Sequence, residues 1–478
     1  MQHYGQIYID GQWAEPLKAT HFELVNPATE KPFASVSLAG VEDVHAAVIA
    51  ARRAFPAFSN TSKAERMALL QRIVDALTTR TDAFLEAVSL ELGAPRTMKA
   101  HVTAGIDAFK QAVVTLRDYE FETRLGTNIV RREAIGVCGL ITAWNWPIQL
   151  LCTKISAALA AGCTIVAKPS EFTPITAIIL TEALHEAGVP KGVFNLVLGD
   201  GPHVGNAISA HPDIDIVSFT GSTRAGVLIA EAAAASVKRV SQELGGKSPH
   251  IILPDADLEA AARWNVSRGF SNTGQSCHAP TRVLVHEDQL ESVLGFMLDE
   301  VRKVRVGDPQ EPATTMGPVV NAAQFERVQS YIRSGIGEGA RLVCGGPGRP
   351  DGLERGYFIR PTIFADVNQT MAIAREEIFG PVLAVMTYKS DEEAIQIANA
   401  TDYGLGGYIW TAADERGLAL GRQIRAGRVF LNGAPGNTAA PMGGYKQSGN
   451  GREMGVFGLE EYLEVKALIG FVRPPQAA

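Results

Sequence analysis

Cys277 is the residue of this chain whose surroundings best suit chemistry. It lies in GQSCHAP, residues 274–280, between short polar residues and just before a β-branched run. A structural cysteine normally has large apolar neighbours, so this polar setting indicates a loop. Two interpretations stay open, a small buried side chain that happens to lie in a loop or a nucleophile. A nucleophilic thiol needs an activating base and a donor that stabilises the anion it creates.

Two polar residues could be the partners of this thiol. Glu243 follows a β-branched run and precedes a Gly-Gly pair, where backbone can approach closely. If Glu243 is partly buried, its pKa rises and it can act as a general base toward water; otherwise it is a solvated loop carboxylate. Asn145 stands between a predicted strand and a predicted helix, and its amide could donate to an oxyanion. Because a proline follows two residues later, capping of that helix explains Asn145 equally well.

Two glycine-rich turns and one charged pair could bind a ligand. FTGSTRAG, residues 219–226, runs from strand to helix and could present backbone N–H groups to phosphate, although it is neither G-x-G-x-x-G nor a P-loop. GNGREMG, residues 449–455, follows no predicted strand, so we expect a mobile loop there. Lys168 and Glu171 end a strand, where they could bond the hydroxyl groups of a sugar or form a surface ion pair.

Parallel strands are predicted to bring these residues together. Residues 41–118 repeat apolar positions at helical spacing, which predicts several amphipathic helices ending near Gly93 and Pro95. From residue 135 onward, short β-rich runs alternate with helical segments, a pattern typical of a parallel sheet covered on both faces. The residues that follow the strands ITAW, IVA, VSFT and VSQE should line one crevice at the carboxyl ends of the strands.

A second alternating stretch, from about residue 250 to 430, repeats this architecture. Its predicted strands are HIILP, TRVLV, PTIFADV, GPVLAVMTY, GGYIWT and RVFLN. We place a boundary between the two α/β units at Gly245–Gly246. Asp10-Gly11 between alternating residues predicts a tight hairpin near the N-terminus, and the other β-rich segments lie near residue 125 and after residue 455.

Composition and charge narrow the class of protein. The 478 residues are 46% hydrophobic and 20% charged, which provides for a large core and two or three domains. A net charge of −7 and the lack of long Lys/Arg runs argue against nucleic acid or a membrane surface as partners. The five cysteines form no Cys-x-x-Cys pair, which favours a reducing compartment over disulfides or a metal site. With no signal peptide or spanning stretch evident, we expect a cytoplasmic protein.

Seven motifs occur in order along the chain: TAWNWP, AKPSE, FTGST, ELGGKSP, GQSCHAPTR, EEIFGPV and PMGGYKQSGNGREMG. Together they resemble the aldehyde dehydrogenase superfamily, from the N-terminal hairpin to GLEEYLEVKAL. The resemblance implies an α/β fold with a Rossmann-like parallel-sheet cofactor domain at 1–117 and 137–245 and a second α/β catalytic domain at 246–445. It also implies a small β oligomerisation arm at 118–136 and 456–478, and hence a homodimer or homotetramer.

The resemblance also implies roles for individual residues. Cys277 corresponds to the nucleophile, Glu243 to the general base, and Asn145 to one oxyanion donor beside the backbone N–H of Cys277. The implied cofactor is NAD, with NADP possible, because an acid at position 171 suits a ribose 2′-hydroxyl better than a 2′-phosphate. No metal is implied. The residues that match the family's cofactor contacts are Trp144, Lys168, Glu171, Gly221, Ser222, Gln324, Glu377 and Phe379.

The implied reaction is the oxidation of an aldehyde to a carboxylic acid. A thiolate adds to the aldehyde, hydride passes to NAD(P)+, and water activated by Glu243 hydrolyses the thioester. A base at this position favours hydrolysis over transfer to coenzyme A. Residues 432–441, NGAPGNTAAP, line the substrate tunnel in the family but contain no aromatic or charged side chain, which argues against a trimethylammonium substrate.

Three hypotheses about function stay open at this point. The first is an enzyme acting on an uncharged aliphatic or aromatic aldehyde, and the second is a semialdehyde dehydrogenase, for which the sequence assigns no Arg to the substrate. The third, a non-catalytic protein of the same fold, predicts an altered nucleophile or base, and neither is altered. His278 follows Cys277, and we expect it to shape the pocket because adjacent side chains in extended chain diverge.

Overall fold

Two mostly parallel seven-stranded sheets carry the residues named above. The computed structural model describes residues 1–471. Its strands are β1 Gln2–Tyr4, β2 Ile7–Ile9, β3 Gln12–Ala14, β4 Thr20–Asn26, β5 Lys31–Leu38, β6 Glu122–Leu125, β7 Asn128–Ala134, β8 Val137–Ile141, β9 Thr164–Lys168, β10 Phe194–Leu196, β11 Ile216–Thr220, β12 Arg239–Glu243, β13 Pro249–Ile252, β14 Arg282–His286, β15 Arg341–Cys344, β16 Thr362–Ala365, β17 Val382–Tyr388, β18 Gly406–Trp410, β19 Arg428–Leu431 and β20 Leu463–Leu468.

The helices of residues 41–118 confirm the predicted amphipathic series. The described helices are α1 Val41–Ser59, α2 Lys63–Thr78, α3 Thr81–Glu91, α4 Ala100–Asp118, α5 Pro147–Ala161, α6 Pro174–Glu186, α7 Asn206–Ala210, α8 Thr223–Ala233, α9 Leu258–Phe270, α10 Leu290–Val301, α11 Ala322–Gly337, α12 Ala372–Arg375, α13 Asp391–Asn399, α14 Asp414–Gly421 and α15 Gly455–Glu460. Two begin with proline, which suits the first turn because its missing N–H has no helical partner there. None of these helices combines the length and apolar character needed to cross a bilayer.

The first sheet has the order β12-β11-β8-β9-β10-β2-β3. Its first five strands are parallel, and β2 and β3 form the predicted hairpin, with positive φ at Asp10 and Gly11. In the register of the parallel strands, Ile141 lies opposite Lys168, and Thr220 lies opposite Glu243. The carboxyl ends of β8, β9, β11 and β12 therefore meet at one edge, as a doubly wound sheet requires.

The second sheet has the order β15-β16-β17-β14-β13-β18-β19, with all strands parallel except β15. Successive residues of β13 enter different hydrophobic clusters, Ile251 on one face and Ile252 on the other. Both faces of the sheet are therefore buried, as expected for parallel strands covered by helices. The Gly245–Gly246 pair lies between β12 of the first sheet and β13 of the second.

The remaining strands differ in part from the prediction. Strands β20, β7 and β6 form a small antiparallel sheet. Residues 455–460 form α15 rather than a strand, so β structure in the predicted 456–478 segment begins at Leu463, and residues 472–478 lie outside the described part. A three-stranded sheet, β1-β5-β4, was not predicted at all.

The predicted mobile loop at residues 449–455 is instead bonded to the first sheet. The backbone N–H of Gln242 donates to Asn450 Oδ1 at 3.0 Å, and Gly449 pairs with Glu243 as an isolated β-bridge. A Cβ at Gly449 would approach the carbonyl of Gln242 to 2.0 Å. The glycines therefore permit a close approach to β12, and the prediction of mobility was wrong because the sequence does not show this long-range pairing.

Arg282 links the start of β14 to the connection between the two sheets. It is 1% exposed, and its guanidinium donates to the carbonyls of Lys247, Ile397 and Ala398 at 2.7–2.9 Å. We expect Arg282→Lys to lower the free energy of unfolding by about 2–4 kcal/mol, because lysine cannot reach all three carbonyls and leaves buried acceptors unpaired. Thermal denaturation checks this, with the exposed Arg422→Lys as control. Equal melting temperatures for the two variants would contradict it.

Candidate active site

The loop that ends on Cys277 has an unusual backbone. After α9, Asn272, Thr273 and Gly274 have φ of 53°, 57° and 72°. The left-handed region is costly for a β-branched residue, and Thr273 is held there by a bond from its hydroxyl to the carbonyl of Gly317 at 3.1 Å. A Cβ at Gly274 would meet the carbonyl of Gly380 at 2.2 Å, so only glycine fits. The turn leaves Cys277 partly exposed.

The turn after β8 is bonded to this loop. Asn145 Nδ2 donates to the carbonyl of Gln275 at 3.1 Å, and Asn272 Nδ2 donates to the carbonyl of Asn145 at 2.8 Å. The neighbouring Trp146 Nε1 donates to Ser276 Oγ at 2.9 Å. Asn145 does not cap α5, whose N-cap position is Trp146, so the capping explanation was wrong. Since an amide has two N–H donors, one of those of Asn145 can still serve a ligand.

Glu243 is buried at the end of β12, not solvated as the alternative explanation would have it. It is 3% exposed, and neither carboxylate oxygen has a hydrogen-bond partner within the described residues 1–471. Burial raises its pKa well above the usual value, and the nearby carboxylate of Glu453 raises it further. A carboxylate with these properties is a strong proton acceptor when it is ionised.

Two charged residues beside Glu243 were missed by the sequence analysis. Lys154, 1% exposed in the middle of α5, donates to Glu453 Oε1 at 2.5 Å and to Ser218 Oγ at 2.9 Å. The ion pair lies under the site and faces Glu243. The sequence did give one sign of this buried charge, namely a lysine in the middle of an otherwise apolar helix. Its partner is 299 positions away, so the pairing could not be inferred.

A cavity of about 250 Å³ connects Cys277 with most of the predicted cofactor residues. Trp144 and Phe379 meet edge to face, with ring centroids 5.4 Å apart. Glu377 Oε1 accepts a bond from the N–H of Gly246 at 2.9 Å, and burial raises its pKa to about 7. The predicted residues that line the cavity are Trp144, Asn145, Gly221, Ser222, Cys277, Gln324, Glu377 and Phe379.

The other predicted cofactor residues lie beyond this cavity, at the end of β9. Lys168 Nζ is 3.6 Å from Glu171 Oε2 and donates to the carbonyl of Pro169 at 2.8 Å. The ion-pair alternative is therefore correct about the contact but wrong about the surface, since Lys168 is 3% exposed.

Ser222 is exposed and caps α8, accepting from the N–H of Ala225 at 3.3 Å. Gln324 Nε2 donates to the carbonyl of Phe379 at 2.7 Å and so fixes that turn.

A second cavity, of about 450 Å³, lies on the other side of the nucleophile loop. The two cavities share Trp146, Gln149, His278, Met442 and Met454. Loop residues 433–438 line the second cavity, which agrees with the predicted position of the substrate tunnel. Cys277 itself lines only the first cavity, but its neighbour His278 lines both, so the sulfur lies close to where the two spaces adjoin.

The walls of the second cavity differ from what the loop composition suggested. Aromatic side chains come from Trp264, Tyr408 and Phe430, which lie outside the loop, so the lack of aromatic residues in the loop does not decide the substrate. Arg268 and Arg428 also line the cavity; among residues 1–471 neither pairs with a carboxylate, while Arg268 contacts His278 and Arg428 donates to the carbonyls of the 437–441 loop. Two guanidinium groups disfavour a cationic ligand by charge repulsion.

His101 supports the site from α4 and was not identified from the sequence. Its ring stacks on Trp146 with centroids 4.2 Å apart, and its Nε2 lies 3.2 Å from Asn272 Oδ1. Because an amide oxygen only accepts, Nε2 carries the proton. Burial lowers the pKa of His101 to about 4, so the ring is neutral and holds Asn272 against the turn at Asn145.

The burial of neutral His101 should make stability depend on pH. The unfolded residue binds a proton near pH 6.5 and the folded residue only near pH 4, so acidification between these values favours unfolding by about 1.4 kcal/mol per pH unit. His101→Gln keeps a donor for Asn272 but does not titrate, so its melting temperature should fall less between pH 6.5 and 4 than that of the unsubstituted protein. The exposed His21→Gln is the control, and identical curves for all three proteins would refute the assignment.

Comparison with known proteins agrees with the geometry. The model of the aldehyde dehydrogenase family matches residues 13–468. This chain belongs to the aldehyde dehydrogenase family. A 3-succinoylsemialdehyde-pyridine dehydrogenase from a Pseudomonas species is 52% identical over 474 residues, which cover 98% of this chain and 99% of the relative.

Solved structures of the family have the same fold. Aldehyde dehydrogenase C from Pseudomonas syringae, a mutant in complex with NAD+ and octanal, is 49% identical with a TM-score of 0.97, covering 98% of this chain and 97% of that one. Betaine aldehyde dehydrogenase from Staphylococcus aureus, in complex with NAD+, is 35% identical with a TM-score of 0.94, covering 98% and 95%. The predicted α/β fold is thereby confirmed.

Proposed function

We propose that this protein oxidises an aldehyde to a carboxylic acid with NAD, through a covalent intermediate on Cys277 that is then hydrolysed. The observation that carries the proposal is the position of Cys277 in the first cavity, next to His278, which lines both cavities, with the buried carboxylate of Glu243 close enough to raise the pKa of the thiol. Family membership supports the same reaction class. The proposed roles of Cys277 as nucleophile, Glu243 as base and Asn145 as oxyanion donor rest on this geometry.

In the first step the thiol of Cys277 loses its proton and the sulfur attacks the aldehyde carbon. The pKa of this thiol is raised by burial and by the carboxylates of Glu377 and Glu243, so the anion needs stabilising donors. The free N–H of Asn145 and the backbone N–H of Cys277 supply donors for the alkoxide that forms. Both are fixed before substrate arrives, so little reorganisation is needed.

In the second step a thioester on Cys277 is hydrolysed. NAD, when bound, supplies the hydride acceptor that makes the thioester from the alkoxide adduct. Glu243 takes a proton from water as the water oxygen attacks the thioester carbon, and the C–S bond then breaks to release the acid and the thiolate. The balance is one aldehyde, one NAD+ and one water to one acid, one NADH and one proton.

The cavity between the strand ends suits the nicotinamide and pyrophosphate end of a dinucleotide. It leads from the open N-terminus of α8, at Ser222, past Trp144 and Phe379 to Cys277. A helix N-terminus favours a pyrophosphate, and the rings offer apolar faces to the nicotinamide end. Glu171, at the end of β9, would accept a bond from a ribose hydroxyl, which favours NAD over NADP.

We extend the proposal to organisation and assembly. The first sheet would be the dinucleotide-binding domain, the second the catalytic domain, and β6, β7 and β20 an arm that joins copies into a homodimer or homotetramer. Leu125, Val465 and Ile469 on this arm are 65–70% exposed, which supports an interface there. All five cysteines are free, which fits a cytoplasmic setting.

Glu243→Gln tests the central step. Glutamine cannot take the proton from water, so we expect one NADH per active subunit followed by a steady-state rate lowered by roughly 10²–10⁴-fold. Mass spectrometry of the stalled protein should find the acyl group on the peptide that contains Cys277. The exposed Glu415→Gln is the matched control and should turn over normally. Full turnover by Glu243→Gln would rule out this base.

A carboxylate-bearing aldehyde is a second candidate substrate. It is favoured by Arg268 and Arg428, two guanidinium groups in the substrate cavity without a carboxylate partner in the described residues. A neutral aldehyde is favoured by the aromatic walls and by the octanal bound to the Pseudomonas syringae relative. The 52% identical relative acts on an aldehyde whose succinoyl chain ends on a pyridine ring rather than on a carboxylate, which also favours a neutral aldehyde.

Succinate semialdehyde and its methyl ester separate these candidates. If the guanidinium groups bind a carboxylate, kcat/KM for the acid should exceed that for the ester by about tenfold or more, and added salt should reduce the preference. Arg428→Gln should lower the preference, whereas the exposed Arg422→Gln should not. A preference for the ester would exclude the second candidate and leave the neutral aldehyde.

A further inference from the structure

The imidazole of His278 lies between a guanidinium and the nucleophile. Its Nε2 is 2.8 Å from Arg268 Nη2, and its Nδ1 is 3.9 Å from Cys277 Sγ. The backbone of His278 is also fixed, because its carbonyl accepts from Tyr408 Oη at 2.7 Å. The expectation that adjacent side chains would diverge was therefore wrong, since the loop is not extended at this point.

The contact with Arg268 determines where the imidazole carries its proton. A guanidinium has only N–H donors, so Nε2 must be the acceptor in this contact. A neutral imidazole has one N–H, which then resides on Nδ1, the atom that faces the sulfur. If Nε2 were protonated, the imidazole would become a cation whose N–H points at the N–H donors of the Arg268 guanidinium. Accordingly, burial and the charges of Arg268 and Arg428 lower the pKa of His278 to about 3.

We propose that Arg268 fixes His278 as the Nδ1–H tautomer, so that the imidazole donates toward the sulfur of Cys277 and stabilises its anion. In this arrangement His278 cannot take the thiol proton, because its remaining lone pair is used by Arg268. When the S–H bond breaks, the proton passes to solvent water, and the imidazole stays neutral. Arg268 acts as a positioning residue through His278. The inference rests on the proposed nucleophilic role of Cys277.

The charges around the sulfur show why a donor matters there. Burial raises the pKa of the Cys277 thiol most, and the carboxylates of Glu377 before β17, Glu243 at the end of β12 and Glu453 before α15 raise it further. His278 approaches the sulfur as a neutral donor. Its own surroundings are Arg268 on α9, Arg428 on β19 and the hydroxyl of Tyr408 on β18. A neutral N–H favours the thiolate without adding an ion to the cavity.

Alkylation of the full-length protein by iodoacetamide as a function of pH tests the proposal. His278→Leu should slow alkylation of Cys277 at neutral pH by about tenfold and raise its apparent pKa by about one unit, whereas His278→Asn, which keeps an N–H near the Nδ1 position, should stay within about threefold. Mass spectrometry assigns the label to Cys277, with the partly exposed Cys344 as internal reference. A His278→Leu profile equal to that of the unsubstituted protein would overturn the proposal.

Variants of Arg268 separate a donor from a base. Arg268→Gln keeps an N–H that donates to Nε2 of His278 and should preserve the alkylation rate. Arg268→Met removes this donor, so that the imidazole proton can move from Nδ1 to Nε2, and should slow alkylation. If His278 were instead a base, Arg268→Met would speed alkylation by freeing Nδ1 as an acceptor, and that result would overturn the proposal.

The readout needs neither aldehyde nor NAD, so the two proposals can fail separately. The expected alkylation pattern without NADH formation from any aldehyde would refute the enzymatic function and leave the tautomer assignment standing. Normal aldehyde oxidation with unchanged alkylation in His278→Leu would refute the assignment alone. Melting temperatures of all variants exclude unfolding as the cause of a rate change.

Discussion

Three hydrogen bonds between the turn after β8 and the loop before β14 hold the site together. They run from Asn145 to the carbonyl of Gln275, from Asn272 to the carbonyl of Asn145, and from Trp146 to Ser276. The two segments belong to different sheets, so these bonds set the distance between the amide and the thiol. The left-handed backbone at Thr273 is the strain that this arrangement stores. The thiol and the amide that we propose as nucleophile and oxyanion donor are thereby placed before any ligand binds.

Burial acts on the two reactive groups in opposite ways. It raises the pKa of Glu243, which makes the ionised carboxylate a better base, and it raises the pKa of the Cys277 thiol, which makes the nucleophilic anion harder to form. The donor that we propose at the sulfur, His278, therefore affects how readily the thiol ionises, whereas Asn145 and the backbone N–H of Cys277 act on the alkoxide. Lys154, paired with Glu453 beneath the site, keeps a positive charge near the buried carboxylates.

Local patterns predicted the elements of the fold well, and long-range contacts explain several of the errors. The hairpin at Asp10–Gly11 and the parallel strands followed from turn residues and β-branched runs. The hairpin of β4 and β5 escaped notice because its turn, residues 27–30, lacks the Asn-Gly or Asp-Gly pair that marks a tight turn. The pairing of residues 449–455 with β12 escaped notice because the two segments lie far apart along the chain. The role of Asn145 was ambiguous because the local sequence is the same whether its side chain caps α5 or donates to the distant carbonyl of Gln275.

The sequence by itself determined the α/β alternation, the order of the motifs and the residue types that chemistry requires, because these depend on neighbouring positions and on composition. Only the tertiary structure decided that Glu243 is buried with no hydrogen-bond partner among residues 1–471, that Lys154 pairs with Glu453, and that aromatic and guanidinium groups form the walls of the second cavity. It also decided the role open to His278, since the tautomer depends on Arg268, ten positions away and on another element. Burial and hydrogen-bond partners are properties of the packed chain, and packing brings together residues that no local pattern connects.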